Sequence, residues 1–481
     1  MKSTIMVKYE NLSTPIKASF WFLICGFMQK GMSFITTPIF TRLLSTSEYG
    51  KYSIYNSWYA IISIFATFNL SYGVYMQGLV KFKNDRDVFT SSLQGLTTTI
   101  VLTCGTIYIL FNKLWNKLFD LSIVLMMAMF IDMLAMAAFS FWANRQRVDY
   151  KYEKLVILSI FRAIVNPMIG IFAVTHTNNK VEARVLSSIV IDLITFAYLY
   201  FIQAKKGKQF YNKKYWMYAL SFNFPLIPHY LSTIVLSQSD KIIIKYLCGS
   251  SKAGIYSVAY SLSQVMVIFN SALLNTLNPW IYKKINLKEY DEIGKVSYFM
   301  LIIIAFVNFL LVAIAPEIID IMAPREYHKA IWVIPPIVIS VFFMFMYSLF
   351  ADFEFYFEKT KFIMLASVTS AGLNILLNFI FIKHFGFIAA GYTTLACYLL
   401  YAFAHYLFMR KINYDYMNSI KIYNGKLILF ISLIFIIACT IIVFFYNCII
   451  IRYVILGFIF LIILLKKDKV RGLIRKIKLG K

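Results

Sequence analysis

Two cations and two carboxylates lie deep in apolar runs, where an ionised side chain is costly. Lys30 stands about 21 Å along a run that begins near Ile16, against a hydrocarbon path of roughly 30 Å. An ammonium at that depth costs about 2.5–3.5 kcal/mol on insertion scales, so it must meet an anion or a watered cavity. Arg162 lies about 12 Å beyond Lys154 in a later run, and its planar fork can take two oxygens of a phosphate at once. Asp132 falls near the middle of the run 121–143, and Asp192 about 12 Å from the outer end of the run 185–203. Such carboxylates can bind H+ or Na+, or serve as counter-charges to Lys30 and Arg162 that only hold helices together. Arg162 has a second alternative, snorkelling back to the inner interface.

Other residues add to this set with less depth. Arg42, Arg145 and Arg147 border the same runs and can attract an anionic head group, although positive-inside topology places arginines at such borders too. Asp240 is a third candidate for ion coupling. Tyr52, Tyr55 and Tyr59 recur at helical spacing, as a stripe that stacks on sugar rings or as an interfacial aromatic belt. Pro225 and Pro228, beside Asn223 and His229, predict a broken helix with freed carbonyls, a feature that lines many transporter sites and also occurs as a plain kink. His229 has no second ligand at metal spacing, so no metal site is expected. Asp352-Phe353-Glu354 resembles a glycosyltransferase metal motif, but it is expected in a short loop as a solvated charge pair.

The elements that must position these groups follow from composition. The chain has 481 residues, 60% hydrophobic, 18% aromatic and only 15% charged, far from the soluble average of about 25% charged. It reads as an all-α polytopic membrane protein. Apolar runs long enough to cross a bilayer begin near 16, 53, 91, 121, 155, 185, 216, 253, 296, 330, 363, 387, 427 and 449, about fourteen helices. Assigning alternate loops to opposite sides, with both termini inside, puts roughly two-thirds of the 48 lysines and arginines on the inner side. The formal charge of +26 is therefore mostly topology, and its scatter over many segments excludes a nucleic-acid footprint. The first run is too long for a signal-peptide core and lacks a small-residue cleavage site, so it is expected to remain. The six cysteines show no paired or metal spacing, there is no P-loop, and short loops leave no room for a soluble catalytic domain.

An internal echo organises the runs. Leu43, Ser47, Gly50, Tyr52 and Ser53 are matched by Leu247, Ser251, Gly254, Tyr256 and Ser257, and Glu153-Lys154 by Glu358-Lys359. The shift corresponds to six spans, so the two halves keep the same orientation. This divides the chain into a six-helix bundle over 1–210, a second over 211–409, and an appended hairpin with a basic tail over 410–481; the tail is expected to lie along the anionic inner leaflet.

The order and spacing of several motifs resemble the Wzx-type flippases of the multidrug/oligosaccharidyl-lipid/polysaccharide exporter superfamily. They are Pro38, Arg42-Leu43-Leu44, Glu48-Tyr49-Gly50 and Tyr52; Phe224-Pro225-Leu226-Ile227-Pro228-His229-Tyr230; Ser239-Asp240-Lys241; Gly254-Ile255-Tyr256-Ser257; and Asn374, Asn378, Phe385-Gly386 with Ala389-Ala390-Gly391. The resemblance covers about 16 to 465 and implies a MATE-like pair of bundles meeting at a central cavity. It implies a non-enzymatic flippase that moves undecaprenyl-diphosphate-linked oligosaccharide from the inner to the outer leaflet of a bacterial plasma membrane. It further implies a place in capsule, O-antigen or exopolysaccharide synthesis, a polymerase and a chain-length regulator as partners, no cofactor, and coupling to an H+ or Na+ gradient. Two rivals stand beside it: a cation-coupled drug exporter of the same superfamily, whose cavity would favour acidic residues, and a membrane-embedded polymerase or glycosyltransferase, which usually carries one large external loop.

Overall fold

The computed structural model describes residues 14–465, and all regular structure in them is helical. In chain order the helices are α1 Thr14–Leu43, α2 Thr46–Thr67, α3 Gly73–Lys81, α4 Arg86–Leu110, α5 Asn112–Phe119, α6 Ile123–Val148, α7 Glu153–Thr175, α8 Lys180–Gly207, α9 Lys213–Asn223, α10 Ile227–Cys248, α11 Ser250–Asn286, α12 Tyr290–Ala313, α13 Ala315–Met322, α14 Ile334–Tyr356, α15 Thr360–Phe385, α16 Ala389–Tyr416, α17 Gly425–Phe444 and α18 Ile449–Leu465. Two short 3-10 segments, Phe224–Leu226 and Arg325–Trp332, complete the path.

Among the described residues, ten helical segments are long and apolar enough to cross a membrane, with Ile449–Phe458 a shorter apolar helix. Helices also form at the remaining expected runs, but α1, α2 and α16 are not among the ten. The second expected run is not one helix. α2 stops at Thr67, Phe68 and Asn69 take positive φ of 47° and 51°, and α3 starts afresh at Gly73. Two hydrogen bonds hold the turn: Asn69 N–H donates to Thr67 Oγ1 at 3.2 Å, and Asn223 Nδ2 donates to Phe68 O at 2.7 Å. The basic tail beyond 465 lies outside the described residues.

Contacts group the chain into two units, 1–257 and 258–481, with the division inside α11. α9 groups with the earlier helices by packing on α3 and α4, α10 by packing on α2, and the internal repeat ties the start of α11 to the same unit. Ser45 starts α2 with a capping box, its backbone N–H donating to Glu48 Oε2 at 2.8 Å and its hydroxyl accepting from Glu48 N–H at 3.3 Å. The repeat-related start of α11 crosses this turn almost backbone to backbone. A Cβ on Gly50 would lie 1.9 Å from Ser250 O, and one on Gly254 would lie 2.2 Å from Thr46 O. Thr46 and Ser251 join hydroxyls across the seam at 2.8 Å. The echoed glycines are thus the places where two segments of the first unit meet too closely for any side chain.

In the same unit α8 packs between α4, α6 and α7, while α2 touches α4, α6, α8 and α10. In the second unit α14 is the most enclosed helix, packed by α12, α15, α16 and α17. α18 is fixed at its start, where Arg452 donates to Ala313 O at 2.8 Å and forks onto Glu317 at 2.6 and 2.9 Å. Asp352 and Glu354 correct the loop expectation. The helix runs on to Tyr356 and carries both carboxylates inside, 1% and 0% exposed, because the aromatic face of Phe350 and Phe353 stays buried through that last turn.

Candidate functional site

The polar centre of the first unit is built on one face of α8. Arg184, Ser188 and Asp192 stand four residues apart, so they project on the same side of the helix. Opposite them are Tyr52, Tyr55, Asn56 and Tyr59 of α2, Asp132 and Met136 of α6, and Arg162 and Asn166 of α7. Together these line a cavity of about 280 Å³. A second cavity of about 230 Å³ shares Tyr52, Arg162, Asn166 and Arg184 and adds Met32 and Thr36 of α1. Burial in apolar helices makes each charge here expensive unless matched, so the pairing pattern decides the chemistry.

One pair is closed. Arg162 Nε donates to Asp192 Oδ1 at 2.7 Å and Nη2 to Oδ2 at 2.8 Å, a two-pronged fork on a carboxylate only 1% exposed. Nη2 also reaches Met136 Sδ at 3.2 Å, and the guanidinium lies 5.5 Å from the Phe196 ring. Asp192 therefore neutralises Arg162. Asp132 faces the Tyr59 hydroxyl, with Asp192 and Arg162 nearby, and its Oδ1 has no hydrogen-bond partner among the described residues.

Arg184 is the residue that depth estimates missed. It is 7% exposed and sandwiched by aromatic rings, 4.3 Å from Phe40 and 5.4 Å from Tyr52. Nη1 donates to the neutral Asn166 Oδ1 at 3.1 Å, Nε is buried with no partner, and no ion pair to it occurs among the described residues. Gly170 makes room for it, since a Cβ there would sit 2.9 Å from Nη1. The cavity thus offers one compensated guanidinium and one uncompensated guanidinium. The second is preorganised by stacking and still has donors to give.

The other expected residues lie elsewhere. Arg145 pairs with Asp87 at 3.3 Å and with Asp149 at 3.2 Å, and Arg86 joins the same Asp149 at 3.0 Å. Arg147 donates to Asn144 Oδ1 at 2.7 Å, and Arg42 folds back on Pro38 O at 2.7 Å. Asp240 is buried against α11, accepting the Tyr256 hydroxyl at 2.5 Å. Lys30 belongs to α1, but its side chain is outside the described residues. The chain breaks from α to 3-10 geometry across Phe224–Leu226, with Pro225 inside that turn and Pro228 at the start of α10. No cluster of metal-ligating side chains occurs among the described residues.

Comparison with known proteins adds the following. A family model described as "Polysaccharide biosynthesis protein" matches residues 16–285, and one described as MatE matches 225–380. A curated relative, Lsg locus putative protein 1 of Haemophilus influenzae (strain ATCC 51907 / DSM 11121 / KW20 / Rd), is 25% identical over 202 residues; the match covers 40% of this chain and about half of that protein. Among solved structures, the lipid II flippase MurJ in an inward closed conformation superposes with a TM-score of 0.66 at 15% identity, covering 93% of this chain and 99% of that one. An inward-facing multidrug resistance MATE transporter of the MOP superfamily gives 0.64 at 10% identity, covering 80% and 94%. A MOP superfamily transporter from Pyrococcus furiosus, described as having a binding pocket of reverse polarity, gives 0.58 at 11%, covering 83% and 96%. At such identities these structures share the fold with this chain and carry nothing further.

Proposed function

We propose that this chain, which belongs to the family of polysaccharide biosynthesis proteins, is a flippase that carries undecaprenyl-diphosphate-linked oligosaccharide from the inner to the outer leaflet of a bacterial plasma membrane. It is a multi-pass helical membrane protein with a transporter fold, and the reading assigns it no covalent chemistry. The single observation that carries the proposal is Arg184, a nearly buried guanidinium with no carboxylate partner among the described residues, facing a cavity shelved by tyrosines. An anionic head group would supply the missing counter-charge, and Tyr52, Tyr55 and Tyr59 would offer ring faces to the sugars. The lipid tail would stay in the bilayer.

In this reading the two six-helix bundles, the cytoplasmic termini and the supply of a capsule, O-antigen or exopolysaccharide polymerase with its chain-length regulator follow the sequence resemblance. Asp132 is the carboxylate left to answer an H+ or Na+ gradient, because Asp192 is occupied by Arg162. The rival reading is an exporter of organic cations, favoured by the unpartnered Oδ1 of Asp132.

The two diverge in one experiment. A charged hydrogen bond contributes about 1.5–3 kcal/mol, so Arg184→Ala should weaken head-group binding by about 10- to 150-fold. In cells, Arg184→Ala at normal abundance should remove surface polysaccharide and accumulate lipid-linked units on the inner leaflet, with Arg184→Lys giving partial recovery. Normal polysaccharide together with lost resistance to cationic drugs would select the exporter.

A further inference from the structure

The second unit holds a buried acid–base pair that the cavity reading does not use. Glu354, on the last turn of α14, and His405, on α16, are both 0% exposed, and His405 Nδ1 lies 2.7 Å from Glu354 Oε1. The imidazole is boxed by rings. Tyr401 meets it edge-on at 4.5 Å, Tyr347 lies at 5.5 Å, and Phe362 of α15 closes the box at 5.8 Å. Beyond their shared bond, the far atom of each partner, Glu354 Oε2 and His405 Nε2, has no hydrogen-bond partner among the described residues.

The surroundings leave the pair to itself. The groups facing it are Tyr401 from α16, Tyr347 from its own helix and the apolar ring of Phe362 from α15. Asp352, two residues earlier on α14, is turned to Tyr282 of α11, with Tyr423 also close by. Among the described residues no lysine or arginine forms an ion pair with Glu354.

A carboxyl and an imidazole sealed from water must carry one proton between them, because any other count leaves a net charge in an apolar box at several kcal/mol. Whether that proton rests on carboxylate or imidazole, the closed pair is neutral. A second proton has places to bind, at Nε2 or Oε2, but both atoms then need water that the closed helix pair excludes. Exchange with solvent is therefore tied to separation of α14 from α16 at the end of α14 that leads into Lys359 and Lys361.

We propose that Glu354 and His405 form a proton-exchange site of the second unit, loaded and emptied only when α14 and α16 part. A proton from water joins the pair in the parted state, and the same proton returns to water on deprotonation, so occupancy and helix separation are linked. Acidification then favours the parted, hydrated state. The proposal rests on the transporter reading only for its role in coupling; proton exchange itself needs no cargo.

The test uses the purified full chain in lipid nanodiscs without cargo, followed by infrared difference spectroscopy and amide deuterium exchange between about pH 5 and 8. The wild type should gain a protonated-carboxyl C=O band on acidification, with exchange in 345–356 and 399–410 rising over the same interval. Glu354→Gln and His405→Asn should lose that pH-dependent exchange, and Glu354→Asp, which keeps a titrating carboxyl, should restore it even if the first two variants melt earlier. A wild-type spectrum and exchange pattern both flat across the interval would overturn the proposal and leave a static tether. In proteoliposomes, Glu354→Gln should weaken the dependence of translocation on a pH gradient, leaving the share carried by Asp132, while Arg184-dependent head-group binding stays unchanged. Gradient dependence retained in full would also overturn it, whereas absence of translocation by wild type counts against the flippase reading and leaves the spectroscopic result to decide the site.

Discussion

Removing Asp192 should hurt this protein more than removing the whole ion pair to which it belongs. The carboxylate is 1% exposed and receives both prongs of the Arg162 guanidinium at 2.7 and 2.8 Å. Breaking a buried pair on one side costs about 3–5 kcal/mol, because the surviving charge stays desolvated and alone. The Arg162 side chain is 27% exposed, and water reaching it through the cavity relieves part of that cost, so the lower end, about 3 kcal/mol, is expected for Asp192→Leu. Replacing both partners, as in Arg162→Met with Asp192→Leu, should return stability close to wild type, since two apolar side chains of similar volume leave nothing unmatched. Thermal unfolding of the four proteins in identical lipid nanodiscs gives the double-mutant cycle; each single variant loses about 3 kcal/mol or more and the double variant almost nothing, so the expected coupling is about 6 kcal/mol. Additive losses, with the double variant melting lowest, would refute the reasoning and show that the two residues act through separate contacts. The same series bears on transport: once Asp192 is gone, Arg162 becomes a second uncompensated cation, and pyrophosphate binding should become tighter and more sensitive to salt.

Three further outcomes follow from the geometry. Gly50→Ala drives a methyl into the Ser250 carbonyl and should cost about 1–3 kcal/mol in a melting experiment, with Gly26→Ala, which meets no atom within 4 Å, as the neutral control. Burial pushes the Glu317 carboxyl up, but the Arg452 hydrogen bonds, a backbone amide and the guanidinium charge outweigh it and hold Glu317 below its ordinary value. Its stabilising effect is then present above the ordinary carboxylate range and lost as pH falls through that lowered value, so the melting difference between wild type and Glu317→Gln should vanish in acid; a difference constant with pH would contradict this. For orientation, single cysteines at Lys113 and Asn178 should react with a membrane-impermeant maleimide in intact cells and those at Lys206 and Leu287 only after lysis, all four positions being exposed; labelling of all four from one side would overturn the charge-based topology.

Much of the fold is visible as periodic apolar runs, because hydrocarbon leaves the backbone few alternatives to helix. The echo around Gly50 and Gly254 was readable as a repeat, yet its physical meaning, a backbone-to-backbone crossing, needed coordinates. Depth along a run found Arg162, Asp132 and Asp192, since a buried charge stands out against apolar neighbours. The same criterion hid Arg184. It sits one turn inside α8, where counting along the chain assigns it to an outer loop, and only its register with Ser188 and Asp192 signals that it shares their face. Glu354 was read as half of a solvated loop pair and His405 was not singled out, so their pairing needed coordinates. They come from different helices, 51 positions apart in the chain, and nothing in their local sequence links one to the other. Tyr52, Tyr55 and Tyr59 could be read as belt or shelf from spacing; that they line a cavity together with Arg162 and Arg184 needed coordinates.

Head-group translocation through the Arg184 cavity is tested in proteoliposomes made from the purified full chain and a polyprenyl-diphosphate-linked oligosaccharide, with a membrane-impermeant lectin reporting the leaflet of the saccharide. Wild type should move the saccharide between leaflets, Arg184→Ala should not, Arg184→Lys should do so slowly, and excess pyrophosphate should inhibit the wild type. Transfer by Arg184→Ala at the wild-type rate, or no transfer by wild-type protein that exports an organic cation from the same vesicles, would contradict it.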